Sequence, residues 1–287
     1  MIAIFKREFK SYFINMSGYL FCAILLLFTG VFTTAVNLLG QYATFELALQ
    51  NVVMIFLLII PILAMRSVAE DKHTGTDSLL YSLPLKLSSV VIGKYLAMLT
   101  VLLLPILIMC LYPLILSAFG NVSLIGSYTG LLGLFLLGAA LIAICMFASS
   151  LTESQVIAAV LGFGLSLLLY FMKAIASMIP AAPAVSLVIL LLVGVLAALL
   201  AYYLGKNATI ALSVGGGSWL VILIGFFLSP ASFEGLAGKL LQALALFDRY
   251  SAFSQGLFDF GAIVYYLSFA AFFVFLTIQS LEKKRFS

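Results

Sequence analysis

Apolar residues run through this chain in eight long, nearly uninterrupted blocks: Gly18–Leu39, Leu47–Met65, Tyr95–Phe119, Tyr128–Ser149, Val156–Met172, Val185–Leu204, Ile210–Leu228 and Ile263–Ile278. Blocks of about twenty residues match an α-helix that crosses the hydrocarbon core of a bilayer. A β-barrel would instead alternate apolar and polar positions in strands of roughly ten residues. The pattern predicts an all-α fold, a polytopic transmembrane helical bundle of about eight spans in a single domain over residues 1–287.

The polar segments between the blocks have patterns of their own. Ile2, Phe5, Phe9, Tyr12 and Phe13 recur at helical spacing with Lys6, Arg7 and Lys10 between them. That predicts an amphipathic helix over residues 1–16, suited to lying in the membrane interface with its basic face outward. The alternative is a straight extension of the first span, but Asn15-Met16-Ser17-Gly18 allows the bend the interfacial arrangement needs. Residues 229–260 are too polar to span and too apolar for an idle loop. Leu236, Leu240, Leu241, Leu244 and Phe247 share a helical face there, which predicts an extracytoplasmic amphipathic segment.

Composition settles the solvent. Hydrophobic residues make up 65% of 287 positions and charged residues 8%, against roughly 45–50% apolar in soluble domains. There is too little polar surface to cover a water-soluble globule. The first apolar run is longer than a signal-peptide core, so it reads as a span. The net charge of +4 carries no message about nucleic acid, because the basic residues are spread over loops.

Their distribution does carry a message, since cytoplasmic loops collect Lys and Arg. With the N-terminus inside, Lys6, Arg7, Lys10, Arg66, Lys72, Lys86, Lys94, Lys206, Lys283, Lys284 and Arg285 lie inside, and only Lys173, Lys239 and Arg249 outside. Both termini, including the basic tail 279–287, and the 66–94 loop are therefore expected in the cytoplasm. The blocks 185–204 and 210–228 could form a re-entrant hairpin, and Gly215-Gly216-Gly217 weakens the second as a helix. A hairpin tip would place Lys206 within the bilayer at a cost of at least a few kcal/mol, so two complete spans are expected.

The 66–94 loop concentrates Arg66, Glu70, Asp71, Lys72, Asp77, Lys86 and Lys94 with the only histidine, His73. Gly75 suits the position just past a helix end, so the second span is expected to continue as a polar extension to about Thr74. Thr76 can cap a new helix with Asp77 in its first turn, and Pro84 ends it. The product is a short helix over 77–83 offering Leu79, Leu80 and Leu83 for burial. A helix this short is unstable alone in water and needs lipid or a partner. A solvated loop serving only the charge rule is the plainer alternative.

Thr152-Glu153-Ser154-Gln155 fits a capping box for the fifth span. Asn37, Gln50, Asn51 and Tyr112 are the polar groups that could line a pathway, although hydrogen bonding between helices is their commoner use. No Gly-x-x-x-x-Gly-Lys-Ser/Thr is present, so the chain carries no phosphate-cradling loop of its own. Cys22, Cys110 and Cys145 lie singly in apolar runs and His73 has no second histidine, so no metal centre is expected.

The string A-E-D-K-H-T-G-T-D-S-L-L-Y-S-L-P at 69–84, followed by G-K-Y-L-A at 93–97, resembles the coupling-helix region of ABC-2-type exporter permeases. The closest likeness is to the gliding-motility and copper-enzyme-maturation branch. The likeness extends to F-K-R-E-F-K-S-Y-F at 5–13, S-L-T-E-S-Q-V-I-A-A at 150–159, and F-D-F-G-A-I-V-Y-Y-L-S with S-L-E-K-K-R near the end. Typical members have six spans, so the pair at 185–228 is an addition.

The resemblance implies a permease of the bacterial cytoplasmic membrane that exports or extracts a substrate. It implies that Glu70, Asp71, Lys72, Gly75, Thr76, Asp77, Leu79 and Leu80 dock in a groove of a separate ATPase. Thr152, Glu153 and Gln155 would form a second, smaller contact, and Phe5, Lys6, Arg7, Phe9 and Lys10 the interfacial helix. ATP and Mg would sit on the partner subunit, with no cofactor in this chain. The other implied partners are a second permease copy or paralogue, the lipid bilayer and an extracytoplasmic accessory protein. Two other classes stay open: an ion-coupled secondary transporter, which would need a deep ionisable residue, and a scaffold that recruits a soluble partner. Lipid-linked glycan, peptide antibiotic, hydrophobic drug and maturation factor are all compatible substrates.

Overall fold

The structure, a computed structural model, describes residues 1–75, 87–205, 208–228 and 233–285. The chain is 85% helical, and no strand occurs among the described residues. Helices suit the composition, because a segment in hydrocarbon must satisfy its own backbone N–H and C=O groups. Two compact units result: Met1–Leu167 with Arg249–Ser287, and Leu168–Asp248.

The first unit opens with α1 (Ile2–Ile14) and α2 (Ser17–Thr33). The bend between them falls where the polar residues predict it, and Met16 takes a left-handed conformation with φ 59. That conformation costs an L-residue about 1–2 kcal/mol. The first span ends in a π-helical turn, Thr34–Leu39. Then follow α3 (Phe45–Ala64), α4 (Arg66–His73), α5 (Leu87–Met109) and α6 (Leu111–Ser117). The unit is completed by α7 (Leu124–Leu151), the first part of α8 (Gln155–Met178), the short α12 (Tyr250–Ser254) and α13 (Phe260–Arg285).

Helix α7 is the post around which this unit packs. It touches α3, α5, α12 and α13, and 83% of its most apolar window is buried, against 22% for the first span. Its sequence is apolar on every side, as a helix surrounded by other helices requires. Between apolar helices in lipid, close approach is driven by packing and favours small residues. Gly133 shows why: a Cβ there would stand 2.5 Å from that of Phe253. The outer helices leave large apolar side chains such as Leu20, Leu27 and Leu107 exposed. Such a surface belongs against lipid chains.

The second unit holds the end of α8, α9 (Pro183–Gly205), α10 (Ala208–Leu228) and α11 (Leu236–Ala243). Helices α9 and α10 form an antiparallel pair in which Trp219 donates to Leu191 O at 3.2 Å. The helix runs unbroken through Gly215-Gly216-Gly217, and a Cβ on Gly215 would lie 2.9 Å from that of Ala198. Helix α11 turns its small residues inward: Ala237 is buried and its N–H faces Ser186 Oγ at 3.4 Å. Leu240 and Leu244 are exposed. Of the other residues of the predicted face, Leu236 and Leu241 are half-buried and Phe247 packs edge-on against Tyr170.

Six helical stretches are long and apolar enough to cross a membrane: Ser17–Leu39, Phe45–His73, Leu87–Ser117, Leu124–Leu151, Gln155–Met178 and Phe260–Lys283. Helices α9 and α10 are apolar in sequence along their 23 and 21 residues. Every apolar block in the sequence is thus a helix, and six of them qualify as spans by length and composition among the described residues.

Candidate functional site

The second span ends in the polar extension that the sequence predicts. Helix α4 runs to His73, Thr74 caps it and Gly75 follows at φ 69, where a side chain would be strained. What the sequence does not predict is a break at Met65, and a serine from another helix marks it. Ser149 Oγ, in the last turn of α7, donates to Met65 O at 2.9 Å and accepts from Ala69 N–H at 3.0 Å and Val68 N–H at 3.3 Å. Met65 O and Ala69 N–H are the two ends of one rung of the helical ladder. A side chain inserted in a rung is an established cause of helix kinks, and here it also ties α4 to α7. Lys72 adds a second tie, because its ammonium donates to Ser150 O. That carbonyl belongs to the last turn of α7, where helix carbonyls lack partners and a cation is favoured.

On its other side α4 meets Lys94, which is 4% exposed. The ammonium lies 2.7 Å from Ser67 O, 2.7 Å from Asp71 Oδ2 and 3.2 Å from Glu8 Oε1. Three N–H donors meet three acceptors, the full capacity of the group. The acceptors come from α4 and α1, so one side chain at the start of α5 joins three helices. Next to it, Gly93 lets α1 come close, with a Cβ there only 3.2 Å from Ile4 Cγ2. Arg7 donates to Glu8 Oε1 at 2.8 Å, and that hydrogen bond raises the guanidinium pKa. Tyr12 is buried one turn beyond Glu8 and donates to Leu63 O at 3.4 Å. Burial pushes its phenol far above the ordinary range, with the charge of Glu8 adding to the effect.

The interfacial residues divide accordingly. Lys6, Arg7 and Lys10 are exposed, and Phe5 and Phe9 are half-buried in an aromatic run with Phe13 and Tyr19. The face that packs on the protein is Ile4, Glu8 and Tyr12. Of the loop residues expected to dock a partner, Asp71 and Lys72 point into the protein, toward Lys94 and Ser150. Glu70 is half-buried and chelated by Arg66 through two hydrogen bonds of 2.9 and 3.0 Å. His73, Thr74 and Gly75 are exposed. Thr76, Asp77, Leu79, Leu80 and Leu83, and with them the 77–83 helix, lie outside the described residues.

The capping of the fifth span differs from the expected register. Helix α8 starts at Gln155, so Ser154 takes the cap position, with its hydroxyl facing Ile157 N–H at 3.5 Å. Thr152, expected as the cap, instead accepts from Ser154 N–H at 3.2 Å. Thr152-x-Ser154 forms a small turn of its own, which three-residue pattern matching overlooks. Among the pathway candidates, Asn37 staples the 40–44 turn by donating to Tyr42 O at 2.8 Å and Thr44 O at 3.0 Å. Asn51 bonds within its own helix to Leu47 O at 3.0 Å, and Tyr112 stacks on Phe45. Gln50 hydrogen-bonds to another helix, donating to Ser254 Oγ at 2.8 Å.

Lys94, Glu8 and Ser149 were not singled out by sequence reasoning. A signal for Glu8 was available, because it sits four residues from both Ile4 and Tyr12 and so shares their face. A charge on a packed face calls for a buried partner.

An apolar helical bundle with six qualifying spans and a clamped polar extension defines a multi-pass membrane protein. Residues 43–213, more than half of the chain, match the family model for ABC-2 family transporter proteins, and the chain belongs to that family. No curated protein and no solved structure matches. The matched region takes in α3, α4, α5, α7 and α8, and therefore Asp71, Lys94 and Ser149. Permeases of this family generally work with ATPase subunits.

Replacing Lys94 by methionine would remove the buried cation that Glu8 and Asp71 share, leaving Arg7 on the outer side of Glu8. Breaking a buried ion pair from one side costs about 3–5 kcal/mol. The variant in detergent is expected to melt well below wild type, whereas Lys6→Met, on the exposed face of α1, should melt within a degree or two of it. Equal melting of both variants with wild type would show that the buried cluster adds nothing to the fold.

Proposed function

We propose that this chain is the membrane-spanning permease subunit of an ATP-binding cassette exporter, driven by a separate ATPase that docks on the 66–94 loop. The observation that carries the reading is the family match over residues 43–213, which includes that loop. The geometry of the loop's described part supports it. A segment that receives force from a partner must hand that force to the bundle. Helix α4 leads into 76–86 at one end and is tied to α1, α5 and α7 through Lys94, Ser149 and Lys72. Tilting α4 therefore loads three helices at once. Asp71 and Lys72 serve as transmission, and His73, Thr74 and the 77–83 segment as contact surface. Thr152, Glu153 and Gln155 lie at the turn into α8 right after the Ser149–Ser150 tie, which suits a second contact on the same side.

The mechanism needs no chemistry on this chain. ATP and Mg bind the partner subunit, and the permease changes shape. Two permease copies or a paralogue pair would face each other, in a bacterial cytoplasmic membrane, with both termini inside. The eight-span arrangement belongs to this proposal, α9 and α10 each crossing the bilayer.

Two experiments test it. A single cysteine at position 207, made as Asn207→Cys in a chain cleared of Cys22, Cys110 and Cys145, should be labelled by an impermeant maleimide only from the cytoplasmic side. Labelling from outside would replace the two spans with a re-entrant hairpin. For docking, a buried leucine exchanged for aspartate costs several kcal/mol, through lost transfer energy and an unpaired charge. The double variant Leu79→Asp, Leu80→Asp should thus lose its co-purifying ATPase while eluting from size exclusion like wild type. Retention of the ATPase at wild-type stoichiometry would remove the loop as the docking site.

A further inference from the structure

At the end of the second span away from the loop, a carboxylate is buried without a counter-charge among the described residues. Glu46 occupies the first turn of α3 and is 6% exposed. Among the described residues no Lys, Arg or His pairs with it. Its one hydrogen bond among the described residues is from Ser127 Oγ at 3.2 Å. That hydroxyl has a single proton and a nearer acceptor, Ser123 O at 2.9 Å. The positive end of α3 favours the charge, but a carboxylate has about four acceptor positions, and here one contested donor serves them. Tyr250, 3% exposed, adds a second polar group on this side of the unit, and its hydroxyl has no partner among the described residues.

The surroundings are shaped to the carboxylate. Helix α7 passes it at Gly126, where a Cβ would lie 2.5 Å from Glu46 Oε1. Gly256, at φ 73, packs against that same glycine, its own Cβ position 3.1 Å from Gly126 Cα. Beside them opens a cavity of about 660 Å³, lined by Glu46 and the hydroxyl-bearing residues Thr44, Ser123 and Ser254, with Leu47 and Ile125 as its apolar lining. A bare or singly hydrated metal ion would fill a small part of that space, since a water takes about 30 Å³. Among the described residues no three of His, Cys, Asp and Glu gather to hold a metal. The volume is that of a small organic ligand.

We propose that this cavity binds an amphiphilic primary amine, its ammonium on Glu46 and its apolar body along Leu47 and Ile125. An ammonium brings three N–H donors, which the carboxylate and the surrounding hydroxyl oxygens accept, and it supplies the missing counter-charge. A trimethylammonium carries the same charge with no donor, so the hydrogen bonds make the site selective for the primary amine. The ammonium can belong to a lipid headgroup or to a free amine. The site stands apart from the ATPase reading, and its test uses no ATPase.

The full-length protein in phosphatidylcholine nanodiscs is titrated calorimetrically with hexylammonium, hexyltrimethylammonium and hexanol, each corrected with empty discs. Saturable binding of hexylammonium is expected, with the other two at least tenfold weaker. Glu46→Gln keeps the shape and the Ser127 contact, and should weaken hexylammonium at least tenfold. Absent saturable binding, equal binding of the three probes, or unchanged affinity in Glu46→Gln overturns the proposal. The three-probe comparison is made within the wild-type protein, so it decides the matter whatever the variant's stability. Repeating the titration in discs containing phosphatidylethanolamine separates the sources: competition assigns the site to a lipid headgroup, and undiminished binding assigns it to a free amine.

Discussion

A lysine ammonium with three donors must find three acceptors once it leaves water, and Lys94 finds them on two other helices. Taking an ammonium and two carboxylates out of water costs several kcal/mol per ion. The arrangement holds only while α1, α4 and α5 keep their mutual positions. The cluster therefore ties three segments together more tightly than an apolar contact of similar area would, because sliding by one turn strands charges. In lipid, where apolar surfaces gain little by meeting each other, such polar ties and the close contacts of α7 are what give the bundle a fixed geometry.

The same economy explains the shape of the loop end. Helix α4 leaves the bundle polar enough to be soluble, yet Ser149 and Lys72 hold it to the end of α7. The ladder rung that Ser149 occupies is the place where the second span passes from its apolar to its polar part. A partner pressing on the residues after Gly75 would move a short, stiff lever with two anchored sides. At the far end, the design reverses. Glu46 is held in an open cavity with a shared donor, an environment fitted to a ligand more than to a permanent contact.

Much of this fold was legible in the sequence, because one-dimensional apolar runs determine spans in a bilayer. Each of the eight blocks became a helix. The bend at Asn15–Ser17 and the helix end at Gly75 fell where polar residues and glycine predict. Two kinds of feature were not legible. Of the residues that act by reaching another helix, Glu8 is marked by sharing the Ile4 and Tyr12 face, but Lys94 and Ser149 carry no local mark, since a charge beside a span looks the same whether it faces water or a buried partner. Asp71 and Lys72, expected from the resemblance to dock a partner, point their side chains inward to Lys94 and Ser150. Local hydrogen-bond register also escaped, as with Ser154 in place of Thr152 at the head of α8. Six helices qualify as spans by length and composition among the described residues, and α9 and α10 are apolar helices beside them.

If the buried cluster fixes the three helices, its members must be energetically coupled, and a double-mutant cycle measures that coupling directly. Lys94→Met, Asp71→Leu and the double variant would be unfolded in mild detergent under identical conditions. Residues in one ion-pair network show interaction energies of roughly 0.5–3 kcal/mol, whereas independent sites add within about 0.3–0.5 kcal/mol. The account predicts that the double variant is more stable than the sum of the single losses implies, by about 1 kcal/mol or more. Additive losses within about 0.3 kcal/mol would contradict it and reduce Lys94 to a lysine near two acids.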